Sequence, residues 1–160
     1  MEKRDLAQIA PFPQATGHEP STVTGCRWLK VPSYVDSRGV LMAAESGSDA
    51  IPFPIERVFW IKDVPVGSRR GGHSHSTCAE AIFPLQGSCR IHVTDGRNHS
   101  DILLDDAQKG ILIPPDIWCD LYDFSKDCIL VVAASQRYDT DGYVHRYEDY
   151  QRIMASRHHT

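Results

Sequence analysis

The sequence predicts an all-β sandwich or barrel finished by one short C-terminal helix. Three observations lead there. Short β-branched and aromatic runs follow one another from about residue 26 to residue 135. Gly, Pro and Asp punctuate them at intervals too short for crossover helices. The spacing of apolar residues then changes to a helical period in the tail.

In chain order, Val58-Phe59-Trp60-Ile61 is the first strong run, and loop residues fill Asp63 to Gly72. Ala81-Ile82-Phe83-Pro84-Leu85 ends in a turn at Gln86-Gly87-Ser88. Cys89-Arg90-Ile91-His92-Val93 alternates apolar and polar and stops at Asp95-Gly96, a hairpin signal. Ile102-Leu103-Leu104, Gly110 to Ile113, Trp118 to Phe124 and Ile129 to Ala133 continue the series. In the tail, Tyr143, Tyr147 and Tyr150, with Val144 and Ile153, fall near a helical period. The expected role of that tyrosine stripe is packing against the barrel.

A chain of 160 residues suits one domain with a buried core. Residues 1–25, rich in Pro, Gly, Ser and Thr, read as an extended N-terminal arm. The folded domain is expected over 26–160. A net charge of -4 argues against a nucleic-acid partner, so an anionic ligand must be held by local arginines. The 5 cysteines are odd in number and form no CxxC pair, which reads as free thiols in a reducing compartment. The N-terminus carries no long apolar run. A cytoplasmic location without membrane partners is the expectation.

The stretch from Gly67 to Gly87 holds the chemistry. It spaces Gly67, His73, His75, Glu80 and Gly87 as G-x5-H-x-H-x4-E-x6-G, which resembles the first motif of the cupins. Histidines at i and i+2 on a strand share a face. A glutamate beyond a turn can return to that face. Such a trio can serve as acid/base groups or hold a divalent metal. The second cupin motif, near P-x-G-x-x-H, falls on Pro114-Pro115-Asp116-Ile117-Trp118-Cys119, with Asp116 for the glycine and Cys119 for the histidine. The resemblance implies a jelly-roll barrel. It leaves open a metal-dependent cupin using His73, His75, Glu80 and Cys119, and a non-catalytic sugar-nucleotide-binding cupin. His92, His99 and His145 read as surface or satisfied core histidines.

Beyond this signature, residues about 28–152 resemble the dTDP-4-keto-6-deoxyglucose 3,4-ketoisomerases, the WxcM-like or FdtA/QdtA-type sugar isomerases. The resemblance rests on stretches in order: Asp36-Ser37-Arg38-Gly39, Ile51 to Phe59, Arg70 to His75, Leu85 to Ser88, Gly110 to Pro115 with Trp118, Asp123-Phe124-Ser125, Leu130 to Ser135 and Tyr138 to Tyr143. It implies a homodimer with exchanged strands, a dTDP-linked keto-sugar as substrate, and no cofactor or required metal. By the same resemblance His73 transfers the proton, assisted by His75 and Arg38. Arg57, Arg70 and Arg90, with Glu80, Trp118 and Cys119, are candidates for binding the substrate. A planar arginine fork matches diphosphate oxygens. Three positions depart from the family's usual pattern: Glu80 stands for a glutamine, Ser76 for a lysine, and Cys119 for a histidine or another large polar group.

Overall fold

The computed structural model describes residues 19–157. A 3-10 turn, Pro20–Thr22, leads into β1 (Arg27–Lys30), β2 (Ser33–Asp36), β3 (Gly39–Met42), β4 (Arg57–Lys62), β5 (Arg70–His75) and β6 (Glu80–Gln86). Then come β7 (Cys89–Thr94), β8 (His99–Leu104), β9 (Lys109–Ile113), β10 (Trp118–Tyr122), β11 (Ile129–Ala134), β12 (Tyr143–Val144) and helix α1 (Tyr147–Arg157). One sheet runs β1-β9-β6-β11-β4 and the second runs β12-β5-β10-β7-β8. All the named pairings are antiparallel. The chain passes repeatedly from one sheet to the other, the arrangement of a jelly roll.

Period-two alternation divides each strand between an inner and an outer face. Ile82, Ile111, Leu130 and Val132 of the first sheet meet Ile91, Val93, Ile102, Leu104 and Leu121 of the second in one core cluster. Ala81, Phe83, Ala133 and Leu29 turn outward, where Ile51 of the long β3–β4 connection covers them. Close packing shows at Gly110, where an added Cβ would lie 2.3 Å from the Phe83 ring.

The described end of the arm belongs to this body. Val23 is fully buried in the inner cluster. Trp28 Nε1 donates to Glu19 Oε2 at 2.9 Å, and Ser100 Oγ donates to the Glu19 carbonyl at 3.0 Å. The rest of the expected arm lies outside the described residues.

The C-terminal helix forms, but it begins at Tyr147, so the expected stripe splits. Tyr150 is buried against Trp118, and its hydroxyl lies 2.8 Å from the Thr94 carbonyl and 2.9 Å from that of Asp116. Tyr143 instead sits on β12, paired with His75 of β5. Edge pairing overrides the helical spacing, because it satisfies backbone groups that β5 would otherwise leave open.

The glycine position of the second motif is conformational. Asp116 takes φ 64, a left-handed conformation open to glycine and tolerated by aspartate. Its N–H donates to the His75 carbonyl at 2.7 Å, tying this turn to the histidine strand.

Candidate active site

Strand β5 carries His73 and His75 on one face, as the i, i+2 spacing requires. Their ring centroids are 4.8 Å apart and the rings meet edge to face at 87°. Tyr143, held beside His75 by the β12–β5 pairing, places its ring 4.3 Å from His75 and 5.1 Å from His73. From the facing sheet, β6 supplies Glu80, whose Oε1 lies 3.2 Å from His75 Nε2. Arg57 on β4 brings its NH2 to 3.9 Å from the same oxygen and 3.5 Å from the Tyr143 hydroxyl. The Arg57 guanidinium also rests over the rings of Phe59 and Tyr138.

All of these groups except His75 line a cavity of ≈ 460 Å³. His73, Glu80, Cys119, Arg57 and Arg70 are its polar lining, and Phe59, Ile61, Ile82, Leu121 and Val132 form an apolar floor. The volume falls within the range of small-molecule sites, and the mixture of apolar walls with few polar groups is typical of them. Strands β5 and β10 approach closely at its edge. Gly71, at φ 77, is so placed that an added Cβ would sit 2.8 Å from the Cys119 carbonyl oxygen.

The electrostatics favour a neutral base. Burial lowers the pKa of His73, and the neighbouring His75 lowers it further, while Glu80 pulls the other way. The net depression leaves His73 uncharged at neutral pH, with a lone pair available. Cys119 goes the opposite way. Complete burial, with the Glu80 and Asp120 carboxylates nearby, raises its thiol well above the ordinary cysteine value. It lines the pocket as a protonated S–H group.

The structure brings together His73, His75, Glu80, Cys119, Arg57 and Arg70. Three expected site residues lie elsewhere on this chain. Trp118 precedes inward-facing Cys119 and so turns outward, where its Nε1 donates to Asp120 Oδ2 at 2.8 Å and its ring packs on Tyr147 and Tyr150. Arg90 alternates with core residues Cys89 and Ile91, projects from the outer face and pairs with Asp123 at 3.6 Å. Arg38 stands at the turn of the β2–β3 hairpin with its side chain 87% exposed and ion-paired to Asp36.

Cys119 also falls outside the ligand cluster expected for a metal. Among the described residues, His73, His75 and Glu80 are a set whose ligand atoms all lie within 4.8 Å of one another, and Cys119 is not among them. One contributor was hidden in the sequence. Tyr143 was masked by its helical spacing from Tyr147 and Tyr150, and no period reveals it, because it is placed by an edge strand of only 2 residues. His145, read as a surface or satisfied core histidine, is exposed, and its ring stacks on Tyr143 at 5.3 Å and lies 6.3 Å from His73.

A jelly roll with a paired-histidine cavity between its sheets defines the chain as a cupin. Residues 24–155 match the FdtA family, described as WxcM-like, C-terminal, and the chain belongs to that family. It is 37% identical over 121 residues to a TDP-4-oxo-6-deoxy-alpha-D-glucose-3,4-oxoisomerase of Aneurinibacillus thermoaerophilus, covering 76% of this chain and 86% of that relative. Its fold matches QdtA, a sugar 3,4-ketoisomerase of Thermoanaerobacterium thermosaccharolyticum solved with TDP, at TM-score 0.80 and 32% identity, over 84% of this chain and 97% of that one. A histidine-to-asparagine variant of the same enzyme, solved with TDP-4-keto-6-deoxyglucose, matches at TM-score 0.81 and 31% identity, over the same shares of the two chains.

Proposed function

We propose that this protein is an isomerase interconverting the 4-keto and 3-keto forms of a TDP-linked 6-deoxyhexose, with His73 as the proton-transferring group. The observation that carries the proposal is a neutral, mostly buried imidazole at the wall of a sugar-sized cavity, in a chain related to 3,4-ketoisomerases over most of its length.

The chemistry follows from the positions. The hydrogen on C3 is acidified by the adjacent C4 carbonyl. His73 removes that proton, and the C–H electrons form the C3=C4 bond of an enediolate as the carbonyl oxygen takes up charge. Transfer of the hydroxyl proton from O3 to O4 and return of a proton from His73 to C4 leave the carbonyl at C3. One carbon is oxidised as its neighbour is reduced, so no external redox partner is required. Arg57, held by Glu80, Phe59 and Tyr138, is the cation best placed to steady the developing oxyanion. Arg70, exposed at the rim, suits the diphosphate. His75 and Tyr143 orient His73 through ring contacts.

Arg38 enters this scheme through a homodimer. The β2–β3 hairpin belongs to neither main sheet and exposes Tyr34, Val35, Val40 and Leu41 at 57–74%. Apolar exposure on that scale suits a partner surface. In the dimer reading, the hairpin packs on a second copy and carries Arg38 to that copy's cavity. The enzyme acts in the cytoplasm on a soluble substrate. No described helix is long and apolar enough to cross a membrane.

The test is turnover of TDP-4-keto-6-deoxyglucose in D2O. Deuterium should enter the sugar and the 3-keto product should accumulate. His73→Asn should cut the rate by at least ~100-fold, the scale for loss of a general base. Unchanged turnover in that variant would remove His73 from the mechanism.

A further inference from the structure

We propose that Glu80 is a second catalytic residue, which carries the hydroxyl proton of the sugar from O3 to O4 while His73 works on the carbons. This role rests on the proposed ketoisomerase reaction and supplies the carrier for its oxygen-to-oxygen proton.

Moving a carbonyl from C4 to C3 takes two proton transfers. One runs from carbon to carbon through His73. The other runs from oxygen to oxygen. Enediolate formation leaves His73 as an imidazolium, and the ring is occupied until it returns its proton to C4. The second carrier must be another group on the cavity wall that both takes and gives a proton.

Few lining groups qualify. Arg57 and Arg70 are donors with no acceptor. Burial and the neighbouring carboxylates hold the Cys119 thiol protonated. The Tyr143 hydroxyl is engaged by Arg57 NH2 at 3.5 Å, and Tyr138 is 68% exposed. Glu80 is buried yet lines the cavity. Its Oε1 is anchored between His75 Nε2 at 3.2 Å and Arg57 NH2 at 3.9 Å. Neither contact is a hydrogen bond, since His75 Nε2 makes none and the arginine is too distant. The carboxylate therefore keeps its acceptor capacity for the hydroxyls of a ligand.

The distances fit one sugar ring. A base ~3–3.5 Å from C3 and a carboxylate oxygen ~2.7 Å from O3 lie roughly 3–6 Å apart. A ring nitrogen of His73 and an oxygen of Glu80 lie within 4.8 Å of each other.

The step balances within the site. Glu80 enters as a carboxylate and takes the proton from O3. The O3–H electrons become the second C3–O3 bond, and the C3=C4 electrons take the imidazolium proton at C4. Glu80 then delivers its proton to the O4 oxyanion. Both side chains end as they began, and no other reactant is consumed.

The experiment follows the full chain with TDP-4-keto-6-deoxyglucose in D2O by NMR. Wild type is compared with Glu80→Gln, Glu80→Ala and Tyr143→Phe, with folding checked by circular dichroism. Two rates are read: deuterium entry at C3 of the recovered substrate, and formation of the 3-keto product. Glutamine keeps the size and hydrogen bonding of glutamate but not its proton-carrying carboxylate. The ratio of exchange to product should rise at least ~10-fold in each folded Glu80 variant, because an enediolate that keeps its O3 proton reverts to the 4-keto sugar. Both outcomes share the enediolate, so the ratio cancels changes in substrate binding or in enediolate formation. An unchanged ratio in the folded Glu80 variants overturns the role of Glu80, and so does a rise confined to Tyr143→Phe. Failure of the ketoisomerase reading looks different: wild type then forms no 3-keto product and exchanges no hydrogen at C3.

Discussion

Gly71→Ala probes the narrowest point of the site. The residue stands at φ 77, and a methyl there would lie 2.8 Å from the Cys119 carbonyl oxygen and 3.5 Å from Asp120 Cα. The left-handed backbone costs an L-residue ~1–2 kcal/mol. The contact with a neighbouring strand adds an overpacking cost of ~1–3 kcal/mol. The sum, roughly 2–5 kcal/mol, is a large share of the 5–15 kcal/mol that typically holds a domain together. For a domain of this size it lowers Tm by about 5–15 °C. Catalysis suffers as well. His73 is the strand partner of Cys119, so prising β10 from β5 moves the imidazole. A shift of several tenths of an ångström costs roughly tenfold or more in turnover, since 1 Å can cost about 100-fold.

Gly67→Ala is the control. It has a similar φ of 80 but nothing within 4 Å of its added Cβ. It should lose only ~1–2 kcal/mol and keep its turnover. Thermal unfolding followed by circular dichroism, with steady-state turnover of the keto-sugar, reads both effects. Equal loss of stability in the two variants would refute the close approach of β5 and β10. Full activity in folded Gly71→Ala would refute the dependence of His73 on that spacing.

Two further outcomes follow from the proposed mechanism and the proposed dimer. His73→Asn and Arg38→Ala, each inactive alone, should recover about a quarter of wild-type sites when unfolded together and refolded, because random pairing makes half the dimers mixed and each mixed dimer carries one intact site. No recovery in dimers shown to be mixed would place Arg38 outside the partner's cavity. The pH profile of kcat/KM offers the second. A base must be uncharged, and the pKa of His73 is lowered by burial. Activity should therefore persist on the acid side of the ordinary histidine value of 6.5 and fall only as pH drops through the depressed value. Because the folded state resists protonating His73, the same group withdraws stability as pH falls below its unfolded value and contributes no loss above it. An acid limb at or above the ordinary histidine value would contradict a buried neutral base.

The legible parts of the molecule were those governed by local rules. Alternation along Cys89–Val93 and the apolar run Ile129–Ala133 foretold strands, and β7 and β11 formed there. The HxH spacing foretold that His73 and His75 share a face, and their rings touch. Arg90 and Trp118 were selected for their chemistry and neighbours in the sequence. Their direction is set by parity with Ile91 and Cys119, so the same period that located the histidines sends these two outward. Tyr143 failed for the opposite reason. Its spacing matched a helix that starts only at Tyr147.

Strand periodicity and the His73-x-His75 spacing determined the all-β class and the shared face of the histidines, because neighbours a few residues apart set backbone direction and side-chain parity, while the family was legible as a resemblance carried by ordered stretches from Asp36 to Tyr143. Only the tertiary structure decided that Glu80 faces His75 across two sheets, that Arg57 reaches the same carboxylate, and that Tyr143 closes over the histidines. These contacts join residues far apart in the chain, and their geometry depends on how the sheets pack and where an edge strand docks, which no local pattern encodes.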